Sequence, residues 1–361
     1  MLIYIDRTIE SHGKTIGLND EERIFFSELA ISHQQGNCML SGEIKSIEWL
    51  MNELGGIHSA IYKQILNRHT AVRSIVELVE TLLVLSYDNQ PSLPSFFGSK
   101  HRVMNMQDAL KYRINLQCSL VAENLEDCAF YELIAKRFLH DNKVKGINFS
   151  YHHELGGGDT INTVFQKCVE EDKVITLCLV DSDIKYGSTK KYPGLPARGV
   201  TVKKLEATHN KLRNNSNNMT FELYCLPIHE IENLIPLAVL ESIATSFVPS
   251  MKPGMLYIQK LLKHNLVDAV LCYDFKNGGN KVKEDPSVTY WIEIAETIGD
   301  DSFPGLCSKV LEKAVEVLEG NTLDEQNRIN SVVIDSHLLP YWNEIGLKVF
   351  SWGCASQPIR A

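Results

Sequence analysis

The stretch Ile175-Thr176-Leu177-Cys178-Leu179-Val180-Asp181-Ser182-Asp183 decides how the middle of this chain folds. Its unbroken apolar run of strand-forming residues stops on two aspartates, which is typical of a strand that is buried on both faces of a parallel sheet. Side chains two residues apart on a strand point the same way, so we expect both carboxylates to face one spot. Open α/β sheets place their sites at this end of the strands. The pair therefore predicts a site for a hard cation such as Mg²⁺.

Strand-like and helical segments alternate around this stretch. In chain order they are 114–121, 126–138, 144–151, 159–169, 174–180, 219–226 and 228–243. Such alternation predicts an α/β fold with a mainly parallel sheet and helices on both faces. The flanks are mainly helical in pattern, apart from a short strand at 2–5. We therefore predict a helical N-terminal domain at 1–112, a catalytic domain at 113–250 and a helical C-terminal domain at 251–361.

The bulk composition narrows the class of protein. The chain has 361 residues, of which 44% are apolar and 22% charged, as in an ordinary globular protein. No apolar run approaches the roughly 20 residues that span a bilayer, and the start lacks the features of a signal peptide. We therefore expect a cytoplasmic protein with no membrane association. Nine scattered cysteines without a Cys-x-x-Cys motif predict reduced core residues.

Charge is unevenly distributed along the sequence. The chain carries a net charge of −9, yet the segment 184–213 contains eight basic residues and one acidic residue. The basic residues are Lys185, Lys190, Lys191, Arg198, Lys203, Lys204, Lys211 and Arg213. The overall charge argues against a protein that coats nucleic acid through its general field, whereas this segment is a candidate local contact for phosphates.

Carboxylates also follow other predicted strands. Glu123 ends the strand before a helix, and Glu230 and Glu232 follow the last strand of the region. Since parallel strands end at the same edge of a sheet, these groups are expected beside the aspartates. Glu230 and Glu232 do not share one helical face if both lie within a helix, so only one of them is expected to reach a metal, with a slight preference for Glu232.

Two features near these strands have more than one interpretation. Gly156, Gly157 and Gly158 lie between a strand and a helix, where a glycine turn lets backbone N–H groups and a ligand come close. Asp127, four residues beyond Glu123, is either a metal ligand or a cap at a helix start, because helix amino ends favour acids.

The order of these motifs resembles the Toprim domain of topoisomerases, primases and nucleases. Glutamate follows the first strand, glycines the second, Asp-x-Asp the third and Glu-x-Glu-Asn a later one, over about 125 residues. The match is closest to the OLD-type nucleases, whose motif adds an acid four residues after the first glutamate, here Asp127. The glycine that usually follows that glutamate is Asn124 in this chain, and Asn tolerates left-handed backbone well.

The resemblance implies a nuclease that cleaves phosphodiester bonds of DNA or RNA with two Mg²⁺ or Mn²⁺ ions. It implies that Glu123, Asp181 and Asp183 hold one ion. Asp127, with Glu230 or Glu232, would help to hold the second. Substrate contacts would come from the glycines and from the basic segment, in particular Lys185, Lys190 and Lys191.

The resemblance also suggests a role and partners. OLD-type relatives are fused to an ABC-type ATPase or encoded beside one, and many serve in bacterial anti-phage defence. No Gly-x-x-x-x-Gly-Lys-Ser/Thr motif occurs in this chain, so a separate ATPase or sensor subunit is expected. A homo-oligomer is also possible on this interpretation.

Two other functions are compatible with the sequence. Asp-x-Asp also marks Mg-dependent transferases and phosphatases, although the latter would carry Thr or Val soon after the second aspartate, where this chain has Ile184 and Lys185. A non-catalytic interaction subunit with a vestigial Toprim fold is the other alternative. The retention of every acidic position argues against it.

Overall fold

The computed structural model describes residues 1–91, 93, 97, 101–185, 199–215, 220–278, 288–320 and 328–358. Within these residues the chain is α/β, with parallel sheets flanked by helices, so the coarse fold class is confirmed. No helix in the described part of the chain is both long and apolar enough to cross a membrane. All nine cysteines are free, and most of them are buried.

The N-terminal region contains a parallel sheet of its own. Its elements are β1 (Leu2–Ile5), α1 (Arg7–Ile16), α2 (Asp20–Gln35), β2 (Met39–Gly42), α3 (Ile44–Leu54), α4 (Gly56–Asn67), α5 (His69–Leu78), β3 (Leu82–Ser86), β4 (His101–Asn105) and α6 (Met106–Ala109). The four strands lie in the order β2-β1-β3-β4, and all neighbouring pairs are parallel.

The prediction of a mainly helical N-terminal domain included only the strand at 2–5 and so omitted the rest of this sheet. The stretch 71–85, whose apolar spacing predicts a single helix, instead covers most of α5 and most of β3. All five residues of β3 are buried. A short apolar run that is buried on both faces has no alternation, so periodicity alone does not distinguish it from a buried helix segment.

The middle region has the predicted alternation of strands and helices. Its elements are β5 (Cys118–Ala122), α7 (Leu125–Asp141), β6 (Ile147–Phe149), β7 (Tyr151–Leu155), α8 (Ile161–Glu170), β8 (Thr176–Val180), α9 (Val200–Asn215), β9 (Phe221–Cys225) and α10 (Leu237–Ser246). The strands form a parallel sheet in the order β7-β5-β8-β9. This order places β5 and β8 at the centre and brings their carboxyl ends to one edge.

The predicted helix at 228–243 is divided at Pro236. A short 3₁₀ turn covers Ile231–Leu234, and α10 begins after Pro236, which occupies the position just before its first residue. Proline has no N–H and disfavours the helical conformation in the residue before it, so a continuous helix through this position is costly. The break leaves Glu230 and Glu232 at a turn beside the sheet.

The C-terminal region is mainly helical and packs against the middle region. Its elements are α11 (Lys252–Lys263), α12 (Val267–Leu271), α13 (Val288–Ile298), α14 (Val310–Glu319), α15 (Arg328–Ser331), α16 (Leu339–Gly353) and β10 (Cys354–Ser356). The Trp342 ring in α16 meets Phe130 in α7, and its Nε1 donates a hydrogen bond to the Leu234 carbonyl at 2.9 Å. β10 pairs antiparallel with β6. One hydrophobic core contains residues of all three predicted domains, and the division into domains stays a prediction.

Candidate metal centre

Acidic side chains from three neighbouring strands meet at the carboxyl edge of the middle sheet. Glu123 follows β5 directly, Asp181 follows β8 directly, and Glu230 and Glu232 lie in the turn after β9. The strands are parallel and adjacent, so their ends bring these groups together. The negative charges of Glu232, Asp127, Glu123 and Glu230 all act on Asp181. These effects indicate that the acids lie near one another at this edge, although no three of the predicted acids in the described residues offer ligand atoms within 4.8 Å of one another.

Asp181 is at the centre of the cluster. Its Oδ1 accepts a hydrogen bond from the Ile231 backbone N–H at 2.9 Å, which joins the end of β8 to the turn after β9. Burial raises the pKa of Asp181 well above its usual range, and the charge of Glu232 is the next largest cause. A carboxylate in this position is expensive to ionise without a nearby cation.

Asp183 is positioned by the backbone rather than by the strand. β8 ends at Val180, and Asp183 has a left-handed φ of 54°, so the expectation that strand geometry aligns Asp183 with Asp181 is wrong. The Asp183 N–H instead donates to the His229 carbonyl at 3.0 Å, and the buried Ser182 hydroxyl donates to the Ile228 carbonyl. These bonds join the aspartate segment to the turn that carries Glu230.

The charge environment still connects Asp183 to the cluster. Partial burial raises the pKa of Asp183 and the charge of Glu230 adds to this rise, while His229, Lys185 and Lys276 lower it. Its own charge also helps to raise the pKa of Glu123, after burial and Asp127. Asp183 is exposed, whereas Asp181 is largely covered, so the pair presents one inner and one outer carboxylate.

Two of the three glycines hold the end of β5 and Glu123 through the backbone. Gly156 and Gly157 donate their N–H groups to the carbonyls of Ala122 and Glu123, at 2.7 and 3.0 Å. A Cβ at Gly156 would lie 2.3 Å from the Ile161 Cβ, so the close approach requires glycine there. Gly157 and Gly158 have left-handed φ angles of 51° and 56°. Two of the N–H groups are thus engaged by β5, and substrate contact by these glycines stays a prediction.

Asp127 lies at the start of α7 and caps it. Its Oδ2 accepts a hydrogen bond from the Asn124 N–H at 3.0 Å, so the capping interpretation is confirmed. Asn124 is extended, with φ −134°, and the turn does not use a left-handed residue at this position. Burial raises the pKa of Asp127 to about 6. Because its charge also acts on Asp181, capping and metal binding are compatible for this carboxylate.

Lys276 lies among the carboxylates, and the sequence did not single it out. Its Nζ is 2.9 Å from Glu232 Oε1 and 3.4 Å from Glu230 Oε2. Burial opposes a positive charge there, but Glu232 and Glu230 hold the pKa of Lys276 above its usual range. The Asn233 amide donates to the carbonyls of Val270 and Tyr273 and so anchors the preceding segment beside the turn. Lys276 lies about 50 residues after the last strand of the sheet, outside the strand-end motifs from which the acids were predicted.

Glu230 and Glu232 have different surroundings. Glu232 is 2% exposed, and burial raises its pKa to about 7. Burial also acts on Glu230, but a hydrogen bond and charge from His229, together with Lys276, lower the pKa of Glu230. The Oε2 atoms of both glutamates are buried and accept no hydrogen bond. A buried carboxylate oxygen without a donor is costly, so both atoms are suited to meet a cation.

The donor set fits divalent cations of the Mg²⁺ type. Lys276 forms ion pairs with Glu230 and Glu232, two of the six predicted carboxylates, and the pKa values of Glu123, Asp127, Asp181, Asp183 and Glu232 are raised. The carboxylates outnumber the nearby positive charges, so the site is net negative. Hard cations prefer oxygen ligands of this kind. The tightest group of three ligand atoms in the described residues, however, is His229, Glu230 and Asp274, within 4.8 Å of one another. His229 and Asp274 were not predicted from the sequence.

The basic segment is described in part. Lys190 and Lys191 lie outside the described residues, and Lys185 is exposed, with its carbonyl accepting a hydrogen bond from the Trp291 Nε1 at 2.9 Å. In α9 the basic side chains Lys203, Lys204, Lys211 and Arg213 are all exposed. Gly199, just before α9, lies so close to Asp183 that an added Cβ would be 1.9 Å from Asp183 Oδ2. The basic helix therefore begins beside the acidic cluster.

Comparison with known proteins found no relative of this chain. No protein-family model, no curated protein and no solved structure matches this chain.

Proposed function

We propose that this protein is a metal-dependent nuclease that hydrolyses phosphodiester bonds of DNA or RNA. The observation that carries the proposal is the meeting of Glu123, Asp127, Asp181, Asp183 and Glu232 at one sheet edge, beside an exposed basic helix. Without metal ions the acidic cluster would repel the negatively charged nucleic acid. Cations between the carboxylates and the phosphates are therefore needed for binding. The resemblance of the motif order to OLD-type Toprim nucleases supports the same function.

The surroundings favour a division of ligands between two ions. Glu123, Asp181 and Asp183 would hold one Mg²⁺ or Mn²⁺. Asp127 and Glu232 would help to hold the second, and Glu232 is preferred to Glu230 because its charge acts most strongly on Asp181 among the charged neighbours. Two such ions supply activation of a water molecule and stabilisation of the leaving oxygen.

Two parts of the chain would act on the substrate directly. Lys276 would place a positive charge beside the phosphate and stabilise the charge that develops in the transition state, because its ammonium group lies within the cluster. The exposed basic side chains of α9 would hold the backbone of the nucleic acid. Ser182 would act as a positioning residue, since its hydroxyl holds the aspartate segment on the Ile228 carbonyl.

Loss of the central carboxylates is expected to abolish cleavage. The purified chain would be incubated with plasmid DNA and with total RNA in Mg²⁺ or Mn²⁺, beside Glu123→Gln and Asp181→Asn. Each substitution removes a predicted metal ligand while keeping the size of the side chain, and we expect a loss of about 10²-fold or more, since the ions supply several kcal/mol of stabilisation. Equal cleavage by all three proteins would contradict the assignment of Glu123 and Asp181 as metal ligands needed for cleavage. Intact folding is checked by thermal unfolding.

Charge reversal on α9 is expected to weaken binding without changing the site. We expect Lys203→Glu combined with Lys204→Glu to lower affinity for a labelled oligonucleotide in Ca²⁺, and to make the salt dependence shallower by about one unit of slope per lost phosphate contact. The control is Lys309→Glu with Lys313→Glu, on and beside α14, outside the basic segment. If both pairs change affinity equally, α9 is not the binding surface.

We further propose that the nuclease is an anti-phage effector controlled by a separate ABC-type ATPase or sensor subunit. The chain has no ATPase motif of its own, and its flanks offer large helical surfaces beyond the sheet that carries the cluster. Copurification from the native host, with mass spectrometry, tests this proposal. Stable and unregulated cleavage by the chain alone would count against it.

A further inference from the structure

A second set of ligand atoms lies beside the predicted cluster and includes an imidazole. His229, Glu230 and Asp274 each offer an atom within 4.8 Å of the other two, a property that only this group has among the residues the structure describes. His229 is 6% exposed and Glu230 is 9% exposed. Asp274 comes from the segment that also delivers Lys276, so the group joins the turn after β9 to the C-terminal region.

The hydrogen bonds of His229 decide which ring nitrogen is available. Its Nδ1 lies 3.0 Å from the Ile184 carbonyl oxygen, which only accepts, so Nδ1 carries the hydrogen. In the neutral ring this leaves a lone pair on Nε2, and Nε2 faces Glu230 Oε1 at 3.2 Å. Nε2 either carries a hydrogen that it donates to Glu230 Oε1, which is the bond described above, or exchanges that hydrogen for a cation that both atoms bind. A histidine held by its Nδ1–H on a backbone carbonyl is the usual arrangement of a metal ligand.

The distance suits a shared metal ion. Ligand bonds of about 2.1 Å place two ligand atoms on one ion roughly 3 Å apart, close to the separation of Nε2 and Oε1. Glu230 Oε2 accepts no hydrogen bond, although Lys276 Nζ lies 3.4 Å away. Asn277 donates to Asp274 from its backbone N–H at 2.7 Å and from its side-chain amide at 3.1 Å. The carboxylate is thereby held in place.

We propose that His229 Nε2, Glu230 and Asp274 bind a divalent transition-metal ion, with Mn²⁺, Co²⁺ or Zn²⁺ preferred to Mg²⁺. The reason for the preference is the nitrogen ligand, because imidazole suits transition metals whereas Mg²⁺ selects oxygen. The site is distinct from the pair of ions assigned to the cluster, from which it takes only Glu230. It deepens the proposed function by naming a metal class, but metal binding is measured without nucleic acid and does not rest on cleavage.

The test is a Co²⁺ titration of the full chain, followed by visible absorption and by calorimetry, with Mg²⁺ titrated in parallel. We expect His229→Gln and Asp274→Asn each to weaken one Co²⁺ site by about tenfold or more and to change its absorption, as losses of this kind at metal sites do. Mg²⁺ affinity is expected to stay as in the unchanged protein. The matched control is His153→Gln, since His153 Nε2 also faces a glutamate, Glu132 Oε1, at 2.8 Å on β7.

Three results would overturn the inference. They are no Co²⁺ binding by the unchanged protein, unchanged Co²⁺ binding in both variants, and an equal loss of Co²⁺ and Mg²⁺ binding in both variants. Asp274→Asn serves as the second variant should His229→Gln fail to fold, because Asp274 is only partly buried. Glu123→Gln separates the two proposals: it is expected to weaken Mg²⁺ binding and to leave the imidazole site in place. Cleavage without Co²⁺ binding at this site, and Co²⁺ binding at this site without cleavage, are therefore distinguishable results.

Discussion

Replacing Lys276 by methionine is expected to lower cleavage by about 10²- to 10³-fold, the usual effect of removing one charge stabiliser from a transition state. Methionine keeps the apolar stem and removes the ammonium group 2.9 Å from Glu232 Oε1. The same change leaves Glu232 without the ammonium group and leaves Glu230 with His229 alone. Breaking a buried ion pair costs about 3–5 kcal/mol, and we expect about 2 kcal/mol here because the lysine side chain is 34% exposed.

The two effects of this change are separated by adding metal. Thermal unfolding in EDTA would show the loss of stability, and saturating Mg²⁺ is expected to restore most of it, since bound ions replace the missing charge. Cleavage at saturating Mg²⁺ should remain low. Lys260→Met is the matched control, because Lys260 forms a surface ion pair with Asp300 at 2.6 Å, and such pairs contribute about 0–1 kcal/mol. If Lys276→Met cleaves at the rate of the unchanged protein, Lys276 only neutralises the glutamates and does not stabilise the transition state.

The stability of the metal-free protein is expected to fall as pH rises, opposite to the usual effect of paired carboxylates. Burial raises the pKa of Glu232 from 4.5 to about 7 and that of Asp127 from 3.8 to about 6. When the pKa of a carboxyl group is higher in the folded state than in the unfolded state, the group stabilises the fold fully below the unfolded pKa. This stabilisation is lost as the pH rises through the folded pKa. The loss therefore falls between about pH 4 and pH 8 and amounts to roughly 3 kcal/mol for Glu232, at about 1.4 kcal/mol per pKa unit.

Metal is expected to reverse this dependence. Ions bind the ionised carboxylates, so the rise in melting temperature on adding Mg²⁺ should grow with pH. The measurement is thermal unfolding in EDTA and in Mg²⁺ at about pH 5, 6.5 and 8. Glu232→Gln removes one titrating group and is expected to flatten the curve in EDTA. A melting temperature in EDTA that rises steadily over this range contradicts the prediction.

Local sequence predicted the sheet that carries the cluster. The apolar run before Asp181 forms β8, the helix predicted at 126–138 is α7, and the strands of this region are parallel, as the alternation indicated. These features depend on neighbours in the chain, through apolar runs and helix periodicity, so they are visible in one sequence. In the N-terminal sheet only β1 was predicted; β2, β3 and β4 are short, and β2 and β3 are also buried along their whole length, so they carry no alternating pattern.

The sequence by itself determined which strands end on acids, and hence that Glu123, Asp181 and the glutamates after β9 share one edge. Only the tertiary structure decided what faces them. Lys276 and Asp274 approach the acids because Asn233 anchors the segment at the end of α12 on the turn after β9, and His229 lies in that turn. The physical reason is that a buried carboxylate selects its partner by distance in space, and no local pattern of residues records which distant loop will supply the charge.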